Sequence, residues 1–141
     1  MPVSQPLVHT LRVRYGECDL QGIVFNPHYL SYFDTSMTEL WRAAYGGYQA
    51  MLDHGIDMVL AEAHVRFRKP ARFDDEVALS VWVTHMGNTS ILTSHAARCG
   101  GEVVAEGDLR HVLVDLQTLE KVAIPDWVRQ GLEPWRLLED A

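Results

Sequence analysis

The chain has 141 residues, of which 48% are hydrophobic and 22% are charged. These values are typical of one globular domain with its own core, and they exclude a disordered chain. Twelve Lys and Arg stand against 19 Asp and Glu, giving a formal net charge of −7, so we expect no nucleic-acid partner.

The two cysteines, Cys18 and Cys99, lie far apart and have no metal-type spacing, which favours a reducing compartment. The N-terminus lacks a basic segment followed by an apolar run, and no stretch reaches the length of a membrane span. We therefore expect a complete, cytosolic (cytoplasmic) protein without a membrane partner.

Alternating apolar and polar residues predict a first strand from Leu7 to Tyr15. The stretch that follows contains Gly22 between short apolar pieces, which predicts an irregular loop. A long helix should then begin with Asn26 as its N-cap and Pro27 as its first residue, and end at Gly46. Its apolar stripe has the helical period and consists of Leu30, Phe33, Met37, Leu40, Trp41 and Ala44.

A short second helix is expected at residues 48–52, followed by strands. Alternation predicts strands near residues 63–69, 77–83, 89–98 and 103–116, and the last three are joined by tight turns as an antiparallel meander. A short helix should open at Pro125. One long helix and about five antiparallel strands make this an α+β protein, with a curved sheet wrapped round the helix to bury its stripe. We expect a single domain over residues 1–141, with its core at about 7–125.

The sharpest candidate for chemistry is Asp19, a carboxylate in the loop just before the long helix. It could be a nucleophile or base, or it could be a turn-forming Asp; the residue pattern alone leaves both readings open. Helix starts favour negative charge, so the N–H groups near Asn26 could hold an oxyanion. His28 should be neutral there, Asp34 borders the apolar stripe, and Glu17 is expected to be solvated.

Other kinds of site find little support. The seven histidines show none of the close spacings of a metal site, no GxSxG motif is present, and the glycines form neither a phosphate-binding nor a dinucleotide-binding loop. We therefore expect no metal and no cofactor.

The run Tyr15-x-x-x-Asp19-x-x-Gly22-Ile23-Val24-Phe25-Asn26-Pro27-His28-Tyr29 resembles the 4-hydroxybenzoyl-CoA thioesterase and YbgC-like branch of the hotdog-fold acyl-CoA thioesterases. The similarity extends over residues 66–77 and spans roughly positions 8–125. It implies a hotdog fold, with dimers that pair sheets edge to edge and tetramers built from two dimers.

The resemblance also implies site roles. Asp19 would attack the thioester or activate water, and the backbone N–H of Asn26 would polarise the thioester oxygen. Tyr15 and Gly22 match positions that shape the loop, and Asp34 matches a commonly acidic position. Phe25, Tyr29 and Tyr32 are aromatic residues that would favour an aryl or medium acyl group, and His28 is placed with them at the substrate.

Two departures from the family pattern narrow these roles. Asn26 stands where YbgC-type enzymes have a His, which limits the oxyanion role to the backbone. The turn at residues 85–90 lacks the paired arginines that bind the nucleotide phosphate in the 4-hydroxybenzoyl enzyme, so Arg66, Arg68 and Lys69 are the candidate CoA clamp. We expect a thioester hydrolase acting on acyl-CoA. The alternatives are a thioesterase acting on an acyl-carrier protein and a hotdog protein that binds acyl-CoA without turnover.

Overall fold

The structure is a computed structural model that describes residues 5–137. Five strands and three helices make up the framework, and none of the described helices is long and apolar enough to cross a membrane. The strands are β1 (Leu7–Arg12), β2 (Ile56–Phe67), β3 (Glu76–Met86), β4 (Ser90–Cys99) and β5 (Glu102–Asp115), and the helices are α1 (His28–Tyr45), α2 (Gln49–Asp53) and α3 (Asp126–Leu132).

All five strands form one antiparallel sheet in the order β1-β3-β4-β5-β2. The meander predicted from the sequence is confirmed in β3, β4 and β5, and so is the α+β class with five strands. β1 and β2 lie at the two edges. The whole length of β2 is thus an edge, and most of its residues are exposed.

α1 packs on one face of the sheet through the stripe that its period predicts. Phe33 and Leu40 are completely buried, and Met37 and Trp41 nearly so, whereas Leu30 is 39% exposed. The helix ends as predicted at Gly46, whose φ of 83° is the left-handed conformation that glycine adopts without strain.

The predicted start of α1 is wrong by one residue. The helix begins at His28, with Pro27 before it, and no side chain caps it. The first amides need no such cap, because the N–H groups of His28 and Tyr29 donate to the carbonyls of Phe25 and Asn26 in a tight turn.

The first strand is also shorter than predicted, since β1 ends at Arg12 rather than at Tyr15. Val13 still pairs with Asp75 through its N–H, but the β3 ladder goes no further. Residues Tyr15–Glu17 form a turn of 3-10 helix instead. The N–H of Arg14, the residue before this turn, donates to the Glu17 carboxylate at 2.8 Å.

Two histidines lie in the core beneath α1. His95 is 1% exposed and His111 7%. Burial lowers the pKa of His95 to about 3, with His111 adding to the effect, and burial lowers the pKa of His111 to about 4. The imidazoles are therefore held in their neutral form by the fold.

We expect acid to destabilise the fold through these histidines. The unfolded imidazole has a pKa near 6.5, so between that value and the folded values the unfolded state takes up protons that the folded state refuses. At about pH 5 each histidine should cost roughly 2 kcal/mol of the stability present at about pH 7.5. Urea unfolding of the wild type and of the double variant His95→Gln/His111→Gln, at both pH values, measures this loss of stability. Equal losses in the wild type and the double variant would contradict it.

A close contact at Gly107 gives a second expectation. A Cβ built on Gly107 would lie 2.9 Å from Cε2 of Phe33 and 3.2 Å from the carbonyl oxygen of His64. Gly107→Ala should therefore lower the free energy of unfolding by about 1–3 kcal/mol. Gly16→Ala is the control, since a Cβ there meets nothing within 4 Å, and chemical denaturation should show little change in it. A Gly107→Ala protein as stable as the wild type would show that Phe33 does not pack as described.

Candidate active site

The loop between β1 and α1 is closed by backbone hydrogen bonds. The N–H of Phe25 donates to the Glu17 carbonyl at 2.9 Å, and that of Asp19 donates to the Ile23 carbonyl at 2.9 Å. At the tip, Gly22 has a φ of 78° and its N–H donates to the Asp19 carbonyl at 3.0 Å. The predicted irregular loop is therefore a tight, hydrogen-bonded one, and the left-handed residue in it requires glycine.

Asp19 is both a turn-forming residue and an available carboxylate. Its Oδ1 accepts the N–H of Gln21 at 2.8 Å, the usual Asx turn. Its Oδ2 accepts no hydrogen bond from any described residue. The turn thus fixes the side chain by one oxygen and leaves the other free, so the two readings of Asp19 left open by the sequence are compatible.

Asp19 borders a cavity of about 540 Å³, here called the loop cavity. Its rim is apolar and exposed: Leu20 is fully exposed, Tyr15 is 83% exposed and meets Phe73 edge to face at 6.2 Å. An exposed apolar rim of this kind is typical of a surface that contacts an uncharged segment of a ligand. The lining residues are Tyr15, Gly16, Cys18, Asp19, Leu20, Gly22, Phe25, His28 and Phe73.

The start of α1 offers one unused amide beside this cavity. Phe25 and His28 both line the cavity, and Asn26 lies between them. The N–H groups of His28 and Tyr29 are engaged in the first turn, whereas the N–H of Asn26 finds no acceptor among residues 5–137. An unpaired amide at the positive end of a helix can hold a negatively charged oxygen.

The predicted substrate residues do not all meet in one place. Four of them, Tyr15, Gly22, Phe25 and His28, join Asp19 at the loop cavity. Tyr29 is 3% exposed and lies in the core against Phe67 and Tyr32; burial raises its pKa to about 12.

Asp34 lines a second cavity, of about 340 Å³, between α1 and the inner face of the β5–β2 edge. We call it the helix cavity. His111 reaches it and has an Nδ1 atom without a hydrogen-bond partner. At its border the Tyr48 hydroxyl donates to Asp57, and burial, followed by this bond, raises the pKa of Tyr48 to about 12. The lining residues are Asp34, Met37, Thr38, Trp41, Tyr48, Met58 and His111.

The three basic residues of the proposed clamp are exposed at the end of β2 and just beyond it. Arg68 is paired with Glu106 at 2.6 Å, and Lys69 with Glu102 at 2.8 Å. Arg66 forms no ion pair within the part of the chain that the structure describes. Exposed ion pairs of this kind are weak, so a phosphate could replace Glu106 at Arg68 or Glu102 at Lys69. Arg66 could bind a phosphate without breaking an ion pair.

Glu17 was expected to be solvated, and the structure shows otherwise. Its side chain is 15% exposed, and it accepts a hydrogen bond from the buried hydroxyl of Tyr32 at 3.0 Å. The sequence held no clear signal for this pair, because the two residues are 15 positions apart and each fits a common alternative: a surface carboxylate and a core aromatic.

Comparison with known proteins places the chain in a family. The sequence model of the thioesterase-like superfamily matches residues 13–132. The acyl-CoA thioester hydrolase YbgC of Escherichia coli is 26% identical over 116 residues, which cover 82% of this chain and 87% of that protein.

Solved structures agree with the sequence match. A hypothetical protein from Aquifex aeolicus superposes with a TM-score of 0.85 at 28% identity, and covers 90% of this chain and 99% of that one. A gentisyl-coenzyme A thioesterase superposes with a TM-score of 0.80 at 25% identity, over 90% and 99% of the two chains. The fold is the hotdog fold, and the chain belongs to the thioesterase-like superfamily of thioester hydrolases.

Proposed function

We propose that this protein hydrolyses acyl-CoA thioesters to a carboxylic acid and free CoA, with Asp19 as the reacting carboxylate. The observation that carries the proposal is the free Oδ2 of Asp19 at a cavity that also borders the start of α1. Two relatives are named for CoA thioesters, one of them a gentisyl-CoA thioesterase, and this supports CoA as the thiol carrier.

Two reaction courses fit the same carboxylate. Oδ2 can attack the thioester carbon, forming a mixed anhydride and expelling the CoA thiolate, after which water cleaves the anhydride. Alternatively, the carboxylate takes a proton from water, whose oxygen attacks the carbonyl, and the proton leaves with the thiol. In both courses negative charge develops on the thioester oxygen. The unused N–H of Asn26 and the positive end of α1 would stabilise that charge.

In this proposal the acyl group binds in the helix cavity of one subunit of a dimer, and the thioester lies at Asp19 of the other subunit. β2 is an unpaired edge that exposes apolar side chains: Val59, Leu60 and Phe67 are 40%, 47% and 51% exposed. An exposed apolar edge strand favours pairing with another strand. We propose that two copies pair through β2 about a two-fold axis, as a dimer or within a tetramer.

Such pairing would bring the two cavities of different subunits together. Strands paired about a two-fold axis run antiparallel, so the Met58 end of one β2 lies beside the Phe67 end of the other. Met58 lines the helix cavity, and Phe67 packs at 5.6 Å on Tyr29 near the start of α1. The loop between β1 and α1, here called the catalytic loop because it carries Asp19, would then face the helix cavity of the partner subunit.

The acyl-carrier alternative calls for a basic surface near the loop cavity, since carrier proteins are acidic. The chain carries a net charge of −7, and none of the described residues that line the loop cavity is Lys or Arg. This favours CoA over a carrier. Hydrolysis of one acyl group presented on CoA and on a carrier protein separates the two, and binding of CoA esters without thiol release would favour the non-catalytic alternative.

Asp19→Asn tests the reacting carboxylate. The amide oxygen of Asn can still accept the Gln21 N–H, so the loop should keep its shape while the charge is lost. We expect kcat to fall by about 10²- to 10⁴-fold, measured as free thiol released from a panel of acyl-CoA esters. Asp126→Asn, an exposed carboxylate at the start of α3, is the control and should remain fully active. Full activity in Asp19→Asn would refute the assignment.

Arg66→Gln tests the clamp. If Arg66 binds a phosphate of CoA, its loss should raise KM by about 10- to 100-fold with little change in kcat, because a hydrogen bond to a charged group contributes about 1.5–3 kcal/mol. The matched substrate is the same acyl group on pantetheine, which lacks the nucleotide and should show an unchanged KM. A KM for acyl-CoA equal to that of the wild type would exclude Arg66 from the clamp.

A further inference from the structure

We propose that Glu17 and Tyr32 act as a positioning pair, which holds Asp19 at a fixed place relative to the start of α1. The inference rests on the proposed function, since it assigns a role to residues around Asp19. Neither residue lines the loop cavity, so the pair acts through the loop and not on the substrate.

Glu17 ties together both ends of the catalytic loop. Its Oε1 accepts the Tyr32 hydroxyl at 3.0 Å and the Arg14 N–H at 2.8 Å, and its Oε2 accepts the Arg14 guanidinium at 3.3 Å. Its backbone carbonyl accepts the N–H of Phe25 at 2.9 Å. One residue therefore connects the turn before Asp19, the residue that precedes Asn26, and the helix itself.

Tyr32 gives this connection a rigid anchor. It is 2% exposed, lies one turn after His28 on α1, and meets the buried ring of Tyr29 edge to face at 5.7 Å. A side chain packed in this way cannot follow a moving loop. The hydroxyl thus marks a fixed point on the helix, and the carboxylate of Glu17 is held to it.

The ionisation of the pair agrees with this role. Partial burial works to raise the pKa of Glu17, but the hydrogen bonds from the Arg14 N–H, the Tyr32 hydroxyl and the Arg14 guanidinium outweigh it, and the pKa is lowered. Burial first, and then the bond to Glu17, raises the pKa of Tyr32. The pair is therefore a neutral phenol donating to a carboxylate, which is a strong hydrogen bond in a partly buried place.

The consequence for catalysis is geometric. Asp19 lies within the stretch that the Glu17 carbonyl closes, and Asn26 comes directly after that stretch. In the proposed reaction the Asp19 oxygen and the Asn26 N–H must both meet one carbonyl group. Displacements of about 1 Å from a productive arrangement can cost about 10²-fold in rate. Loss of the Tyr32 hydroxyl should therefore lower kcat without weakening substrate binding.

Tyr32→Phe tests the pair, because it removes one hydroxyl and keeps the packed ring. We expect kcat to fall by about 10- to 100-fold, with KM within about twofold of the wild type. Tyr45→Phe is the matched control: Tyr45 is on the same helix and its hydroxyl donates to the Val128 carbonyl at 2.6 Å, far along the chain from the loop. Both variants should lose similar stability in urea unfolding, and only Tyr32→Phe should lose activity.

Two further measurements separate positioning from a general loss of structure. Glu17→Gln keeps an acceptor for Tyr32 and should retain more activity than Glu17→Ala. In the Asp19→Asn background, Tyr32→Phe should have little further effect on the residual rate, because the group that it positions is gone. Wild-type kcat in Tyr32→Phe, or an undiminished effect in the Asp19→Asn background, overturns the inference. If the wild type itself releases no thiol from any acyl-CoA ester, the proposed function fails instead.

Discussion

The packing of α1 on the inner face of the sheet is the constraint on which the rest of the molecule depends. Phe33 is completely buried, and its ring occupies space on β5 that is open because Gly107 has no side chain. This contact fixes how closely the helix approaches the sheet. The first turn of α1, and with it the amide of Asn26, is placed by that approach.

The candidate site is then assembled from the helix outwards. Tyr32, held in the same packed face, donates to Glu17, and Glu17 closes the loop that carries Asp19. The loop is anchored in the core by Val24, which is 2% exposed, whereas Leu20 is fully exposed at its tip. Hydrogen bonds to a rigid element add to this anchor, which is how a short loop can hold a carboxylate in place.

Features with local causes could be predicted from the sequence. The period of α1, its stop at Gly46 and the alternation in β3 each follow from neighbouring residues, and all are confirmed. The site residues Tyr15, Gly22, Phe25 and His28 could be placed with Asp19 because one short motif contains them. The end of β1 and the start of α1 were predicted less well, because the Asp75 partner of Val13 and the tight turn at Phe25 decide them.

Features decided by distant partners could not be predicted. The pair of Glu17 with Tyr32 and the ion pairs of Arg68 and Lys69 join residues 15 to 38 positions apart. Tyr29, which the motif suggested for the substrate, lies on the packed face of α1 and is buried in the core, where its ring meets Tyr32 and Phe67. Sequence patterns report the face on which a residue lies, but its partner depends on the register of the strands.

The most direct measurement is a crystal structure with an acyl-CoA analogue in which a methylene group replaces the thioester sulfur and the carbonyl is kept. The account predicts that the carbonyl carbon lies about 3–3.5 Å from a carboxylate oxygen of Asp19 or from a water bound to it, and that the carbonyl oxygen lies about 3 Å from the amide nitrogen of Asn26. A carbonyl group bound away from Asp19, with the Asn26 N–H directed elsewhere, would contradict it.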